Sequence, residues 1–354
     1  MIDIPFSRIV SAYLVVPSQI VSGIIRLRQR LYETGFFKSL SLTCKVFSIG
    51  NLVMGGTGKT PLTIYTANLL AKMGYRVAVI SRGYKGKKEH DGGLVGINKT
   101  LFMKPESAGD EPYLIALNCP RAAVLIGKNR FKAGISAVRR FSTQVLILDD
   151  GFQHLAVKRD MNIVLLDASA PIGNGRIFPA GPLREPVQGL SRADAFVFTR
   201  CGNSNASVPK SIAPFLRNKP VFYCDHVPGR LISFDISGKE RSFEPDHLKD
   251  HSLLAFSGIA RNEDFFNMLK SMSYRIAAFK AYPDHHRYSS RDLESLRLMA
   301  EKADAKAMIT SEKDYVKLYD RLSDGLPLYA LKIKISFGEF ETEFKNLLKE
   351  IMKN

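Results

Sequence analysis

The segment Gly50-Asn-Leu-Val-Met-Gly-Gly-Thr-Gly-Lys-Thr-Pro61 constrains this chain more than any other part of it. It follows a short β-prone run, Thr43-Cys-Lys-Val-Phe-Ser-Ile49, and leads into a helical stretch that ends at about Met73. Strand, glycine-rich turn, Lys-Thr and helix, in that order, make the context a phosphate-binding loop needs. Gly55, Gly56 and Gly58 let backbone N–H groups converge on phosphate oxygens, and the helix N-terminus adds partial positive charge. Lys59 is then placed to reach the β- and γ-phosphates of a nucleotide and Thr60 to ligate Mg²⁺. The nucleotide site expected here is Val53, Met54, Gly55, Gly56, Thr57, Gly58, Lys59 and Thr60, with ATP and Mg²⁺ as cofactors.

A carboxylate set should accompany such a loop. Gln144-Val-Leu-Ile-Leu-Asp149-Asp150 is a run of four apolar residues closed by two acids. A buried parallel strand delivers its terminal carboxylates to the C-terminal edge of a sheet, beside a phosphate loop. One of Asp149 and Asp150 would hold the metal, with Asp150 favoured, and the other could orient the nucleophile. Further strands are expected at Tyr75–Ser81, Ala122–Ile126, Met161–Asp167 and Asp194–Thr199, with helical spacing between several of them. That rhythm predicts an α/β fold of the P-loop NTPase type, with a doubly wound, mostly parallel sheet. The loop departs from the common GxxxxGK[ST] pattern, because Val53 stands where the first Gly belongs. It is similar to the deviant loops of P-loop ATPases, yet their signature lysine position holds Met54.

The 354 residues suit roughly two domains. Against 34 Asp and Glu stand 51 Lys and Arg, a formal net charge of +17 that points to nucleic acid, an acidic membrane surface or a phosphorylated substrate. The four cysteines, Cys44, Cys119, Cys201 and Cys224, are scattered without zinc-ligand spacing and read as reduced thiols. Near the start, the uncharged run Ile9–Ile25 lies between Arg8 and Arg26 and would reach about 25 Å as a helix, just short of a hydrocarbon core. Pro17, Ser18, Gln19, Ser22 and Gly23 interrupt it. From Ile20 the pattern turns amphipathic: Ile20, Ile24, Leu27 and Leu31 share a face, with Arg26 and Arg30 largely elsewhere. This predicts an N-terminal helix lying in a membrane interface, with a core-packed helix and a true span as alternatives.

Ser81-Arg-Gly-Tyr84, Gly109-Asp110-Glu111-Pro112, Asp149-Asp150-Gly-Phe-Gln-His154, Pro179-Ala-Gly-Pro-Leu-Arg184-Glu185-Pro186, Tyr282-Pro-Asp284-His285 and Thr310-Ser-Glu312-Lys313-Asp314 follow in that order. Together with the glycine loop they resemble the tetraacyldisaccharide 4′-kinase family of lipid A biosynthesis, over roughly residues 43–320. The resemblance implies ATP-dependent phosphorylation of the 4′-hydroxyl of an acylated disaccharide 1-phosphate lipid. It also implies work at the cytoplasmic face of the bacterial inner membrane, peripheral or monotopic, with no nucleic-acid partner. The family's loop lacks the first Gly too, which accounts for Val53. By the same resemblance Asp110 is the base, working with His285, while Asp149 and Asp150 complete the catalytic set.

An Asp–His pair suits the chemistry, since a carboxylate fixes the imidazole tautomer and raises its basicity. Asp110 and Glu111 would also stabilise a helix start whatever their chemistry. Arg82, Arg184 and Glu185 are candidates for gripping the acceptor, Arg184 equally for a salt bridge that stiffens its loop. His154 has a backbone-bonded or a catalytic role open to it, and Glu312-Lys313-Asp314 a nucleotide contact or a helix cap. Residues 1–40 read as the membrane-associating segment, 41–218 as the nucleotide-binding domain and 219–354 as a smaller α/β domain that carries His285 across a cleft. The rival reading is a membrane-associated P-loop ATPase switch.

Overall fold

The computed structural model describes residues 13–202, 208–234, 240–318, 321 and 325–353. One sheet of 14 strands runs through it. In chain order the strands are β1 Lys45–Asn51, β2 Val77–Ser81, β3 Gly93–Ile97, β4 Thr100–Leu101, β5 Ala123–Ile126, β6 Val145–Asp149, β7 Met161–Asp167, β8 Ala195–Thr199, β9 Val221–Phe234, β10 Glu240–Phe243, β11 Ser252–Ser257, β12 Arg275–Ala281, β13 Ala307–Ser311 and β14 Leu328–Ser336. In space they lie in the order β12-β11-β13-β14-β9-β8-β7-β1-β6-β2-β5-β3-β4, with β10 on β9.

From β9 to β5 every pairing is parallel. These strands are buried throughout or nearly so, which is why they read as apolar runs without alternation. Strand β1 sits where the winding reverses, between β6 and β7. The glycine loop leaves its C-terminal end, and the acid pair ends its neighbour β6, so both occupy the crevice that such a reversal opens.

Strand β9 is the hinge of the architecture. Its first residues, Val221–Cys224, pair in parallel with β8, and from Asp225 to Ile232 it pairs antiparallel with β14. The change of partner is made within one continuous strand of 14 residues. Pro228-Gly229 looks like a turn in sequence, but Pro228 falls opposite an irregularity in the pairing between Leu331 and Ile333, where a missing N–H is tolerated. Beyond β14 the Glu341–Lys353 helix returns to the first half of the chain. Phe337, Phe344 and Leu348 pack there with Phe47, Ile49, Leu62 and Phe222, and the Phe337 and Phe344 rings stack 4.4 Å apart.

The N-terminal helix, Val15–Glu33, takes Pro17 in its first turn, where proline disturbs least. It docks through Val21 and Ile25, and Ser18 Oγ donates to Ile177 O at 2.7 Å. Val16, Ile20, Ile24 and Leu27 remain 59–62% exposed, and Phe36 beyond them is 75% exposed. The first residues of the expected uncharged run, 9–12, lie outside the described residues. Among the described residues no helix is long and apolar enough to cross a membrane, so the true-span alternative finds no support there.

Candidate active site

The glycine loop is tied down on three sides. Asn51 Nδ2 at the end of β1 donates to Thr57 Oγ1 at 2.9 Å, Thr199 Oγ1 to Thr57 O at 3.1 Å, and Arg200 Nη2 to Gly56 O at 2.7 Å. Gly58 caps the Lys59–Lys72 helix at φ +90°, and a Cβ there would stand 2.5 Å from the His226 ring, so only glycine fits. Val53 forms an antiparallel bridge with Leu183, and Met54 N donates to Pro182 O at 2.8 Å. The position where the common pattern has Gly is therefore strand-like backbone, held by the Pro179–Pro186 loop. Lys59 Nζ lies 3.2 Å from Asn51 Oδ1 and 3.7 Å from Asp150 Oδ1, and Thr60 follows it in the first helical turn.

The two acids of β6 face different surroundings. Asp149 is buried and accepts hydrogen bonds from Thr63 Oγ1 and Ser81 Oγ, both at 3.0 Å. Burial, with nearby Glu111 and Asp150 adding to it, raises its carboxyl well above the ordinary range. Asp150, in left-handed backbone at φ +50°, turns toward Arg184 Nη1 at 2.7 Å. Burial would raise it, but the charges of Lys59 and Arg184 outweigh that and hold it below the ordinary range.

Asp110 and His285, far apart in sequence, stand 3.2 Å apart through Oδ2 and Nδ1. Asp110 opens the Asp110–Asn118 helix after Gly109 at φ +89°, where a Cβ would meet Tyr84 O at 2.8 Å. His285 sits in left-handed backbone at φ +60° and its N–H donates to Gly258 O. Lys317 Nζ is 3.0 Å from Asp110 Oδ2, and Lys313 Nζ is 3.2 Å from His285 Nε2. Burial pushes Asp110 up, but His285, Lys317 and Lys313 outweigh it and leave the carboxyl below its usual range. The pair meets without any further closure of one half on the other.

The remaining candidates scatter. Arg82 is exposed and pairs with Glu89 at 2.7 Å. Arg184 takes the salt bridge to Asp150 just described. Glu185 is only 2% exposed and takes hydrogen bonds from Gln29, from Gln153 Nε2 at 2.9 Å and from Arg192 Nη2 at 2.6 Å. Its carboxylate faces the protein interior and ties the N-terminal helix to the DDGFQH turn. His154 is pushed down to about 4 by burial, then by Arg130, Arg159 and Arg28. Sequence reasoning missed Arg130, which is buried near Asp149 and Asp150, and Lys317. Lys317 follows Lys313 by four residues, the spacing that puts two side chains on one helical face, and that was the available signal.

Fold and site define a mixed α/β protein with a large, mostly parallel sheet whose reversal point carries a lysine-bearing glycine loop and an acid pair. The model of the tetraacyldisaccharide-1-P 4′-kinase family matches residues 10–353. The tetraacyldisaccharide 4′-kinase of Desulfatibacillum aliphaticivorans is 43% identical over 333 residues, 92% of this chain and 88% of that one. The enzyme of the same name from Syntrophus aciditrophicus is 41% identical over 338 residues, 93% and 89% of the two chains. Among solved structures, the "apo" form of LpxK from Aquifex aeolicus in complex with ATP is similar with a TM-score of 0.80 at 34% identity, covering 97% of this chain and 99% of that one. This chain belongs to the tetraacyldisaccharide 4′-kinase family.

Proposed function

We infer that this chain phosphorylates the 4′-hydroxyl of a tetraacylated disaccharide 1-phosphate at the expense of ATP, a step of lipid A biosynthesis. Its family membership over nearly the whole chain supports the reaction, and the juxtaposition of Asp110 with His285 supports the chemistry. The loop from Val53 to Thr60 acts as a phosphate-binding loop of the P-loop type. Lys59, released from Asn51 and the loop carbonyls, neutralises the β- and γ-phosphates. Thr60 and Asp150 offer the hard oxygen donors that suit Mg²⁺ and would hold it; when bound, the ion supplies further charge neutralisation. Asp149 hydrogen-bonds the start of the loop helix and keeps the acid pair in register.

The acceptor's hydroxyl proton passes to Asp110, the base of the pair, while the acceptor oxygen bonds to the γ-phosphorus and the bond to the β-phosphate oxygen breaks, releasing ADP. His285 Nδ1, 3.2 Å from Asp110 Oδ2, orients that carboxylate for the transfer. Arg82, on the exposed rim, is free to exchange Glu89 for an anionic acceptor group, whereas Arg184 and Glu185 act by positioning Asp150 and the loops around it. The halves 41–218 and 219–354 function as two α/β lobes that share β9 and enclose the site between them. The exposed stripe Val16, Ile20, Ile24 and Leu27, with Arg26, Arg28 and Arg30 close by and a net charge of +17, suits a helix lying on the anionic cytoplasmic face of the bacterial inner membrane.

Steady-state kinetics in mixed micelles test the residue assignment. Asp110→Asn and His285→Gln are expected to lower kcat by about 10²–10⁴-fold with little change in KM for ATP. Full turnover by either variant at saturating substrate would remove the pair from the chemistry.

A further inference from the structure

Lys317 takes no part in the phosphoryl transfer itself, yet its ammonium touches the base. It follows the Glu312–Tyr315 helix between Val316 and Leu318, both buried, so its backbone is anchored in the core. Lys317 N donates to Asp314 O at 3.1 Å, and Asp314, fully buried, accepts from Gly258 N at 2.8 Å. From that fixed turn the ammonium reaches Asp110 Oδ2 at 3.0 Å, His286 O at 3.3 Å and Asp314 Oδ1 at 3.5 Å. An ammonium has three donors and no acceptor, so these three oxygens use all of them. Lys317 is thus tethered in place rather than poised to follow a phosphate.

The two oxygens of Asp110 are used differently. Oδ2 meets both Lys317 Nζ and His285 Nδ1, the latter at 3.2 Å, whereas Oδ1 has no partner among the described residues. A carboxylate that is to accept a proton needs an open oxygen and must be ionised when the hydroxyl arrives. Its setting works against ionisation: the Asp110 and Lys317 side chains are only 18% and 12% exposed, and burial disfavours the charged form. The groups facing Asp110 are His285 from the turn after β12, Lys313 and Lys317 from the Glu312–Tyr315 helix and its end, and Glu111 on its own helix. Lys313 is paired with Asp284 at 3.0 Å, and the Tyr288 ring lies 6.0 Å from the Lys317 ammonium. Among the described residues, Lys317 is the lysine in contact with the carboxylate.

We propose that Lys317 is a positioning residue for the base: with His285 it holds Oδ2 of Asp110 and supplies the counter-charge of that carboxylate, leaving Oδ1 to take the hydroxyl proton. The proposal rests on the assignment of Asp110 as base. Oδ1 gains the proton that the acceptor oxygen loses on bonding to phosphorus, and Asp110 becomes neutral. Lys317 keeps Asp314 as its anion, so no charge is stranded in the site.

The pH dependence of kcat/KM tests this when taken as the ratio of variant to wild type, in which the ionisation of the substrates cancels. Lys317→Met and Lys317→Gln remove the charge nearest the carboxylate, which should raise its midpoint by about 1–3 pH units. Their ratio to wild type is expected to fall at least about twofold between about pH 8 and about pH 5. Lys317→Arg, which keeps the charge and its donors, should give a level ratio. In enzyme labelled with ¹³C at the aspartate carboxyls, the Asp110 signal is assigned by its loss in Asp110→Asn. Its midpoint should stand at least about one pH unit higher in Lys317→Gln than in wild type. A ratio that is level at every pH in Lys317→Met and Lys317→Gln, with the Asp110 midpoint unmoved, would overturn the proposal. Full activity in Asp110→Asn would overturn the base assignment instead, and the carboxyl titration still reads the Lys317 contact separately.

Discussion

His154 and His226 are both held well away from their ordinary titration. Burial, aided by neighbouring arginine charge, pushes both imidazoles down from the ordinary 6.5 to about 4. The unfolded chain takes up protons near pH 6.5 that the folded chain refuses until about pH 4. Stability is therefore complete above about pH 6.5 and declines as the pH falls toward 4. Melting temperatures measured at about pH 7.5 and about pH 5 should differ in the wild type and differ less in His226→Asn; an unchanged gap would remove His226 from that account. At Asp150 a different effect dominates. Asp150→Asn leaves the Arg184 and Lys59 charges without their shared anion, and kcat should fall by at least about tenfold while the fold survives. Lys59, Thr60 and the acid pair were legible in the sequence because spacing alone places them at a strand end and a helix start. The inward turn of Glu185 was not, since its partners Gln29 and Arg192 come from elements whose packing no local pattern encodes.

The N-terminal helix shows how an element can serve two surfaces. Its docked side carries Ser18, Val21, Ile25 and Gln29, and its free side Val16, Ile20, Ile24 and Leu27. Ile20→Glu with Ile24→Glu should lower partition onto anionic vesicles by at least tenfold and leave the melting temperature nearly unchanged, because neither residue is buried in the protein. Binding that survives both substitutions would place the membrane contact elsewhere. Glu185→Ala acts on the docked side. It leaves Arg192 with a charge and no partner in a largely buried setting, and the loss of stability should be about 3–5 kcal/mol, read by denaturant unfolding. The amphipathic period was visible in sequence from Ile20 onward. Strand β14, the Glu341–Lys353 helix and the continuation of β9 through Pro228-Gly229 are not legible from local pattern, because a proline opposite an irregular pairing shows its place only once the partner strand is known.

Across the whole molecule, the shared strand β9 and the returning C-terminal helix tie the earlier and later parts of the chain together, and the Asp110–His285 hydrogen bond spans them as well. Leu348, fully buried in the core that also holds Phe47 and Leu62, transmits stability from the chain's end to the glycine loop's own half. Leu348→Ala should destabilise by about 2–5 kcal/mol and shift a single unfolding transition, rather than split it, when monitored by calorimetry. The most direct test of the function itself is the position of the new phosphate. The enzyme would be incubated with ATP and the tetraacyl disaccharide 1-phosphate, and the product examined by ³¹P–¹H correlation NMR. A single new phosphomonoester coupled to the 4′ proton, absent with Lys59→Ala, is the result expected. Inorganic phosphate released beside unmodified lipid, or a phosphate on another hydroxyl, would contradict the account.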